Sequence, residues 1–433
     1  MEAGSLDPAY EESPMMTRRI FLKNGSLALV SLGFTPAFIA RAAQAAGGKN
    51  KILVAIFQRG AVDGLNMVVP FGDPEYYKAR PSLAIPKPGE RPRQGQGQAE
   101  EAAVDLDGFF GLNARMASLA PLFQSGELAI VHACGSHDPS RSHFDAQDFM
   151  ESGTPGVKST RDGWLNRYLH AREHEKESAS PFRAVALAQQ LPRTLQGTAP
   201  ALAIGQLGQF GVRAGRATDM MASGFEAQYA AAADSLLRPT GKEAFDAVRM
   251  LKDTDPASYV PANGAEYPRS GFGEALKQIA MLIKQGLGLE VAFAELGGWD
   301  THVQQPGRLT NLLDDFAKSI AAFRTDLGDQ MSDVVLVSMS EFGRAVQENG
   351  NRGTDHGHGN AMLVLGGPVK GGKVYGTWPG LARDKRYEGR DLAITTDFRD
   401  VFAEVVTSHL GARDLSQIFP GYQYKQPLGL IRS

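Results

Sequence analysis

Carboxylate and imidazole side chains gather at four places in this chain, each just after a short apolar run. The first is Gln58-Arg59-Gly60-Ala61-Val62-Asp63-Gly64, and the second is a loop ending Arg141-Ser142-His143-Phe144-Asp145. The third is Gly297-Gly298-Trp299-Asp300-Thr301-His302. The fourth holds Ser340-Glu341-Phe342-Gly343-Arg344 and, a little later, Thr354-Asp355-His356-Gly357-His358-Gly359. Of nine histidines in the chain, His302, His356 and His358 stand in Asp-x-His or Asp-His-x-His groups beside glycine. An aspartate and a histidine within two residues can offer oxygen and nitrogen to one cation, and glycine lets the backbone turn tightly around it. Such donors suit one or two divalent ions (zinc, manganese, magnesium or calcium) better than a soft metal.

Each group also has a simpler reading. Asp63-Gly64 is a strong turn signal. Asp300 could cap a helix, and Asp355 with His356 could close a loop. The shared placement of Asp63, Asp300, His302, Asp355 and His356 past strand-like runs favours metal ligation. His132, His170, His174 and His409 lack such company and read as structural or surface residues. Ser142 opens a Ser-x-x-Asp helix start, with Ser142 as N-cap. The same position lies at the positive end of a helix dipole, where an attacking alkoxide and an oxyanion would both be stabilised. A metal would activate it as a nucleophile. Arg141 could clamp an anionic group or be solvated.

The elements that must position these residues read as strands alternating with helices. Ile52–Phe57, Leu128–Ala133, Ala184–Ala188, Glu290–Ala294, Val334–Met339 and Met362–Leu365 resemble buried strands of a parallel sheet. Gly273–Leu287 and Leu309–Leu327 carry apolar residues in helical phase. The alternation predicts a layered α/β fold, and open sheets of that kind form sites at the carboxyl ends of their strands. Phe225–Leu237 and Glu243–Leu251 read as helices outside the alternation, a small helical insertion over roughly 221–270. Arg91–Ala99 reads as a polar loop.

Composition sets outer bounds. The 433 residues are 42% hydrophobic and 21% charged, as in an ordinary globular protein. The net charge of -3 gives no reason to expect nucleic acid. Cys134 is the single cysteine, so neither an internal disulfide nor a CxxC motif can exist.

The N-terminus predicts a destination. Thr17-Arg18-Arg19-Ile20-Phe21-Leu22-Lys23 precedes an apolar stretch from Leu27 to Ala40 and a small-residue run ending at Ala45-Ala46. A basic region, an apolar region and an A-x-A site compose a secretory signal, and the paired arginines give it the twin-arginine form. Gly33 and Pro36 interrupt the apolar stretch, which falls short of the ~20 residues a membrane span needs. Cleavage after Ala45 would leave a mature domain of residues 46–433, periplasmic or extracellular, with the twin-arginine translocase as its partner during export. No further apolar run reaches spanning length, so no membrane attachment is expected after cleavage. Residues 1–14 are an acidic, polar prefix, and the signal would begin more naturally at Met15 or Met16.

Together, FQRGAVDGLNMVVP (57–70), RSHFDAQDFMESG (141–153), DGWLNRYL (162–169), GGWDTH (297–302), SEFGR (340–344) and GTDHGHGNAM (353–362) resemble the exported bacterial family called domain of unknown function 1501. That family is similar to the alkaline-phosphatase and sulfatase-like superfamily. The resemblance implies an alkaline-phosphatase-like α/β fold, mostly parallel, and one or two metals. Asp63, Ser142, Asp355 and His356 would hold one ion, and Asp300, His302 and His358 the other. This chain departs from the superfamily in placing Ser340-Glu341-Phe342 directly after its strand, which offers Glu341 as an alternative ligand. The implied activity is hydrolysis of a phosphate or sulfate ester, on a small molecule or glycan, with Ser142 attacking and Arg141 beside it. The alternative is a non-catalytic metal- or glycan-binding protein that keeps the fold. A redox enzyme ranks last, since no haem motif and no strand-linked G-x-G-x-x-G occurs.

Overall fold

A computed structural model describes residues 51–91, 101–172, 180–207 and 256–432. The signal segment, the 92–99 part of the polar loop and the two helices expected within 225–251 lie outside these residues. All the described residues belong to one compact unit.

The centre is a sheet of nine strands. Its long members are β1 (Ile52–Gln58), β5 (Leu128–Gly135), β8 (Val291–Leu296), β9 (Val334–Met339) and β10 (Asn360–Gly366). The short members are β6 (Ala184–Ala186), β7 (Leu202–Ala203), β11 (Val374–Tyr375) and β12 (Thr396–Asp397). The order is β11-β5-β10-β9-β1-β8-β6-β7, with β12 also paired to β5. A separate three-stranded ribbon joins β2 (Val68–Val69), β3 (Val104–Asp105) and β4 (Gly111–Leu112) in the order β2-β4-β3.

Each long strand is buried along nearly its whole length, and β-branched and aromatic residues dominate β1 and β9. This is the pattern of a sheet covered on both faces. Leu53, Ala55 and Phe57 of β1 share one cluster with Trp164, Leu165, Phe398 and Phe402. Those partners lie on two helices, Trp164–Ala171 and Phe398–Glu404, and Trp164 stacks on Phe402 at 4.4 Å between ring centres. Burying each such side chain contributes about 1.5–3 kcal/mol, and truncating Phe57 to alanine would cost about 3–5 kcal/mol. A second pair of helices, Gly271–Lys284 and Gln305–Leu327, packs together through Phe272 stacked on Phe316 at 5.9 Å. Ser270 caps the first of them by accepting from Gly273 N at 2.9 Å.

The expected layered, mostly parallel α/β architecture is therefore present. One strand departs from it. Met362–Leu365 was expected to run parallel, but β10 is antiparallel to both β5 and β9. The reversal is what places the residues ahead of β10 at the carboxyl ends of β1, β5, β8 and β9. The expected helix at 273–287 spans 271–284 instead, because Gln285 and Gly286 turn the chain. Residues 256–270 form a short 3-10 turn, Pro256–Ser258, and a loop held by buried Asp326, which accepts from Tyr259, Tyr267 and the Ala262 amide. Among the described residues no helix is long and apolar enough to cross a membrane.

Candidate metal centre

The loops after β5, β8 and β9 meet around one oxygen atom. Asp300 Oδ1 accepts a hydrogen bond from Arg344 Nη2 at 2.7 Å. Three imidazole nitrogens approach the same oxygen: His302 Nε2 at 3.0 Å, His356 Nε2 at 3.2 Å and His143 Nε2 at 3.5 Å. His302 Nε2 and His356 Nε2 lie 2.9 Å apart. One donor atom from each of His143, Asp300 and His356 falls within 4.8 Å of the others, a group that could hold a metal ion. Two donors on a tetrahedral zinc, each at about 2.0–2.1 Å, stand roughly 3.3 Å apart, close to these spacings.

The outer ring nitrogens bear on the same question. His143 Nδ1 bonds Glu341 Oε1 at 2.8 Å, His302 Nδ1 bonds Asp355 Oδ1 at 3.2 Å, and His356 Nδ1 bonds the Arg141 carbonyl at 2.9 Å. A neutral ring that donates through Nδ1 to an oxygen presents a bare lone pair at Nε2. On that tautomer three lone pairs and a carboxylate oxygen converge, and Arg344 reaches only two of these four acceptors, Asp300 Oδ1 at 2.7 Å and His302 Nε2 at 3.5 Å. His143 Nε2 is buried and has no hydrogen-bond partner. A cation is the species that satisfies such a donor set, so the residues fit a divalent metal.

Around this cluster the loops are fastened together. Glu341 is buried; its Oε1 also accepts from Gly60 N and Gln147 Nε2, both at 2.8 Å, and its Oε2 from Ser340 Oγ at 3.1 Å. Arg344 is fully buried and donates to the carbonyls of Ala61, Gly60, Trp299 and Thr354 at 2.7–3.1 Å. Gly60 has φ +115°, and a Cβ there would stand 2.7 Å from Asp300 N, so only glycine lets the first and third loops touch.

These contacts set the charges. Burial opposes ionisation of Asp300, but the hydrogen bond and charge of Arg344 outweigh it and hold the pKa below the ordinary value. Burial works the same way on Glu341, and donors from His143 and Gln147 overcome it. The Glu341 bond raises the pKa of His143, whereas burial and the neighbouring His143 and Arg344 lower that of His356. Asp355 is lowered by its bonds from Asn349 and His302.

Of the residues singled out from sequence, the fold brings Asp300, His302 and His356 into one cluster. Asp355 and Glu341 stand behind the imidazoles. Asp63 is elsewhere and buried: its Oδ2 accepts from Arg80 Nη1 at 2.6 Å and Gln305 Nε2 at 2.5 Å, while its Oδ1 has no partner. His358 stands outside this group, buried and stacked on Tyr387 at 4.1 Å. Burial, with His137 and Arg141 nearby, pushes its pKa down to about 4. Arg141 is committed to Asp391 at 2.6 Å and Glu388 at 2.7 Å. Ser142 is the N-cap of helix His143–Ser152, exposed, and its hydroxyl makes no capping bond. Reasoning from sequence counted neither His143 nor Arg344 among the metal ligands. His143 directly follows Ser142 after a strand, the same signal that singled out the other loops, and Arg344 closes the SEFGR motif.

The sequence matches the family described as protein of unknown function (DUF1501) over residues 50–404. The chain belongs to that family. Every member of the imidazole cluster lies within the DUF1501 region. Among solved structures, this DUF1501 chain is similar to a sulfatase from Pseudoalteromonas sp., with 12% identity and a TM-score of 0.40 over 95% of this chain and 81% of that one. No curated protein matches it.

Proposed function

We propose that this DUF1501 protein is an exported, metal-dependent hydrolase of phosphate or sulfate esters. The observation that carries the reading is the convergence of three Nδ1-anchored imidazoles on Asp300 Oδ1, at an opening where the Asp300 side chain is 46% exposed. His143, Asp300, His302 and His356 would hold the ion. Bound there, a divalent cation supplies Lewis acidity toward the oxygens of an anionic ester.

The chain's own residues supply the rest. Glu341, Asp355 and the Arg141 carbonyl fix the three rings and keep their Nε2 lone pairs directed at Asp300. Arg344 orients Asp300 from behind. Ser142 offers an exposed hydroxyl at the positive end of a ten-residue helix, where charge gathering on the transferred oxygens is stabilised. Its oxygen attacks phosphorus or sulfur, the ester oxygen leaves as the alcohol with a proton, and water then releases the oxyanion and restores the serine.

The test is metal analysis of the purified mature chain, joined to a panel of aryl phosphates, phosphodiesters and sulfates. The proposal requires about one or two ions per chain and turnover of at least one ester class. A stoichiometric ion without turnover would favour the binding-protein reading; absence of any ion would end the hydrolase reading and leave only glycan binding. Export through the twin-arginine route belongs to the same proposal and rests on the Arg18-Arg19 signal. Replacing both arginines with lysine should hold the precursor in the cytoplasm, and undiminished export would refute it.

A further inference from the structure

Two loops supply most of the imidazole cluster, one bearing Asp300 and His302, the other Asp355 and His356. Something must set the distance between them. Their backbones touch: Thr354 N donates to the Thr301 carbonyl at 3.3 Å, and a side chain at Gly353 would collide with the His302 carbonyl. Between them sits Gln305, buried at the first turn of helix Gln305–Leu327. Its Oε1 accepts from Thr301 Oγ1 at 3.1 Å and from Thr354 Oγ1 at 2.6 Å. Thr301 lies between Asp300 and His302, and Thr354 lies two residues before His356. One amide oxygen therefore ties both metal-bearing loops together.

An amide of this kind can be turned either way unless something fixes it. Asp63 does so. An ionised carboxylate only accepts, so Gln305 Nε2 must face Asp63 Oδ2, 2.5 Å away, and the amide oxygen must face the threonines. Arg80 holds Asp63 in turn, and it also donates to Asn66 Oδ1 at 2.8 Å and to the carbonyls of Ala345 and Val346, just past Arg344. Asp63, Arg80, Thr301, Gln305 and Thr354 are all buried, so water does not compete for these bonds.

We infer that Asp63 and Gln305 are positioning residues of the metal centre, a sealed clamp that sets the spacing of the His302 and His356 loops. The inference rests on the metal-centre reading above. It gives Asp63 a role in ion binding with no direct contact to the ion, and it makes the amide orientation of Gln305 the element through which that role acts. His143 is anchored separately through Glu341, so the clamp governs two of the three rings.

The experiment compares the mature wild type with Gln305→Ala and with the double variant Thr301→Val/Thr354→Val, which removes only the two hydroxyls. Asn166→Ala, a buried amide bonded to the Leu195 and Ala199 carbonyls, serves as a remote control. Metal-free protein is titrated with cobalt(II), followed by ligand-field absorption, and the histidine ring signals are recorded by NMR before the metal is added. The clamp requires a loss of about 10–100-fold in cobalt affinity, with displaced ring signals for His302 and His356 and smaller shifts for His143, whose ring touches that of His356 at 4.3 Å. Asn166→Ala should leave both readouts in place. Affinity within twofold of wild type and unmoved ring signals in the clamp variants would overturn the inference. An equal loss of affinity in Asn166→Ala would overturn it as well. Should Gln305→Ala fail to fold, the threonine pair decides. A wild type that takes up no cobalt would refute the metal centre itself, while the metal-free ring signals would still decide whether the clamp sets the loops.

Discussion

Asp63 and Asp300 follow neighbouring parallel strands, and each is backed by a fully buried arginine, Arg80 and Arg344. Their environments are otherwise opposite. Asp63 is sealed, its side chain 1% exposed against 46% for Asp300. One carboxylate is spent inside the protein; the other stands at the opening with three imidazole lone pairs around it. The contrast teaches that a strand-end aspartate paired with arginine is not yet a ligand. What sets Asp300 apart is its exposure and the three imidazole nitrogens within 3.0–3.5 Å of its Oδ1.

The same contrast divides His356 from His358, two residues apart in one loop, and it yields the largest expected effect. His302→Ala and His356→Ala should each abolish stoichiometric metal as measured on desalted protein, whereas His358→Ala should keep it. Retention of metal in the first two, or its loss in the third, would break the comparison. Next in size is the cost of opening the sealed side. Asp63→Ala leaves Arg80 buried without its counter-charge and should lower stability in urea unfolding by about 3–5 kcal/mol. His302→Ala, at the exposed side, should change it by about 1 kcal/mol or less.

A smaller effect concerns pH. His409 is buried against the Ile52 carbonyl at 3.0 Å, and burial pushes its pKa down to about 4, from an ordinary value of 6.5. The unfolded chain therefore takes up the proton first. The stability held above pH 6.5 is lost as pH falls toward 4, by about 1.4 kcal/mol per unit for this one group. The stability of His409→Gln should fall less steeply across that window, and equal slopes would contradict the assignment. The smallest effect is at Ser142. An N-cap serine with a formed capping bond is worth about 1 kcal/mol, but none is formed here. Ser142→Ala should shift the thermal midpoint by no more than its measurement error while removing ester hydrolysis.

Much of the frame was legible in the sequence because buried strands announce themselves. The six apolar runs picked out at 52–57, 128–133, 184–188, 290–294, 334–339 and 362–365 each hold a strand, although the third is strand only over Ala184–Ala186. Direction was not legible for the last, since an apolar run reads the same whichever way its neighbours lie. In the site, Asp300, His302 and His356 could be found because their strand ends lie just before them or on the adjoining loop. Asp63 shares that signal, and only its contact with Arg80, seventeen positions on, shows that its charge is already matched. His143 was hidden behind Ser142, whose helix-start pattern accounts for the segment by itself. Glu341 looked like a free carboxylate because the Gly60 amide and Gln147, which occupy it, come from distant segments.

The central strand has a consequence for the order of assembly. β1 lies almost at the start of the described chain, yet its partners are Val291–Leu296 and Val334–Met339. A ribosome adds those strands only after most of the polypeptide has been made. Until then β1 exposes two unpaired edges of apolar sequence, the kind of surface on which nascent chains aggregate. Pairings this distant are slow to close. The imidazole cluster draws on loops after β5, β8 and β9, so it too is completed late, and no amino-terminal fragment that stops short of His356 can contain it.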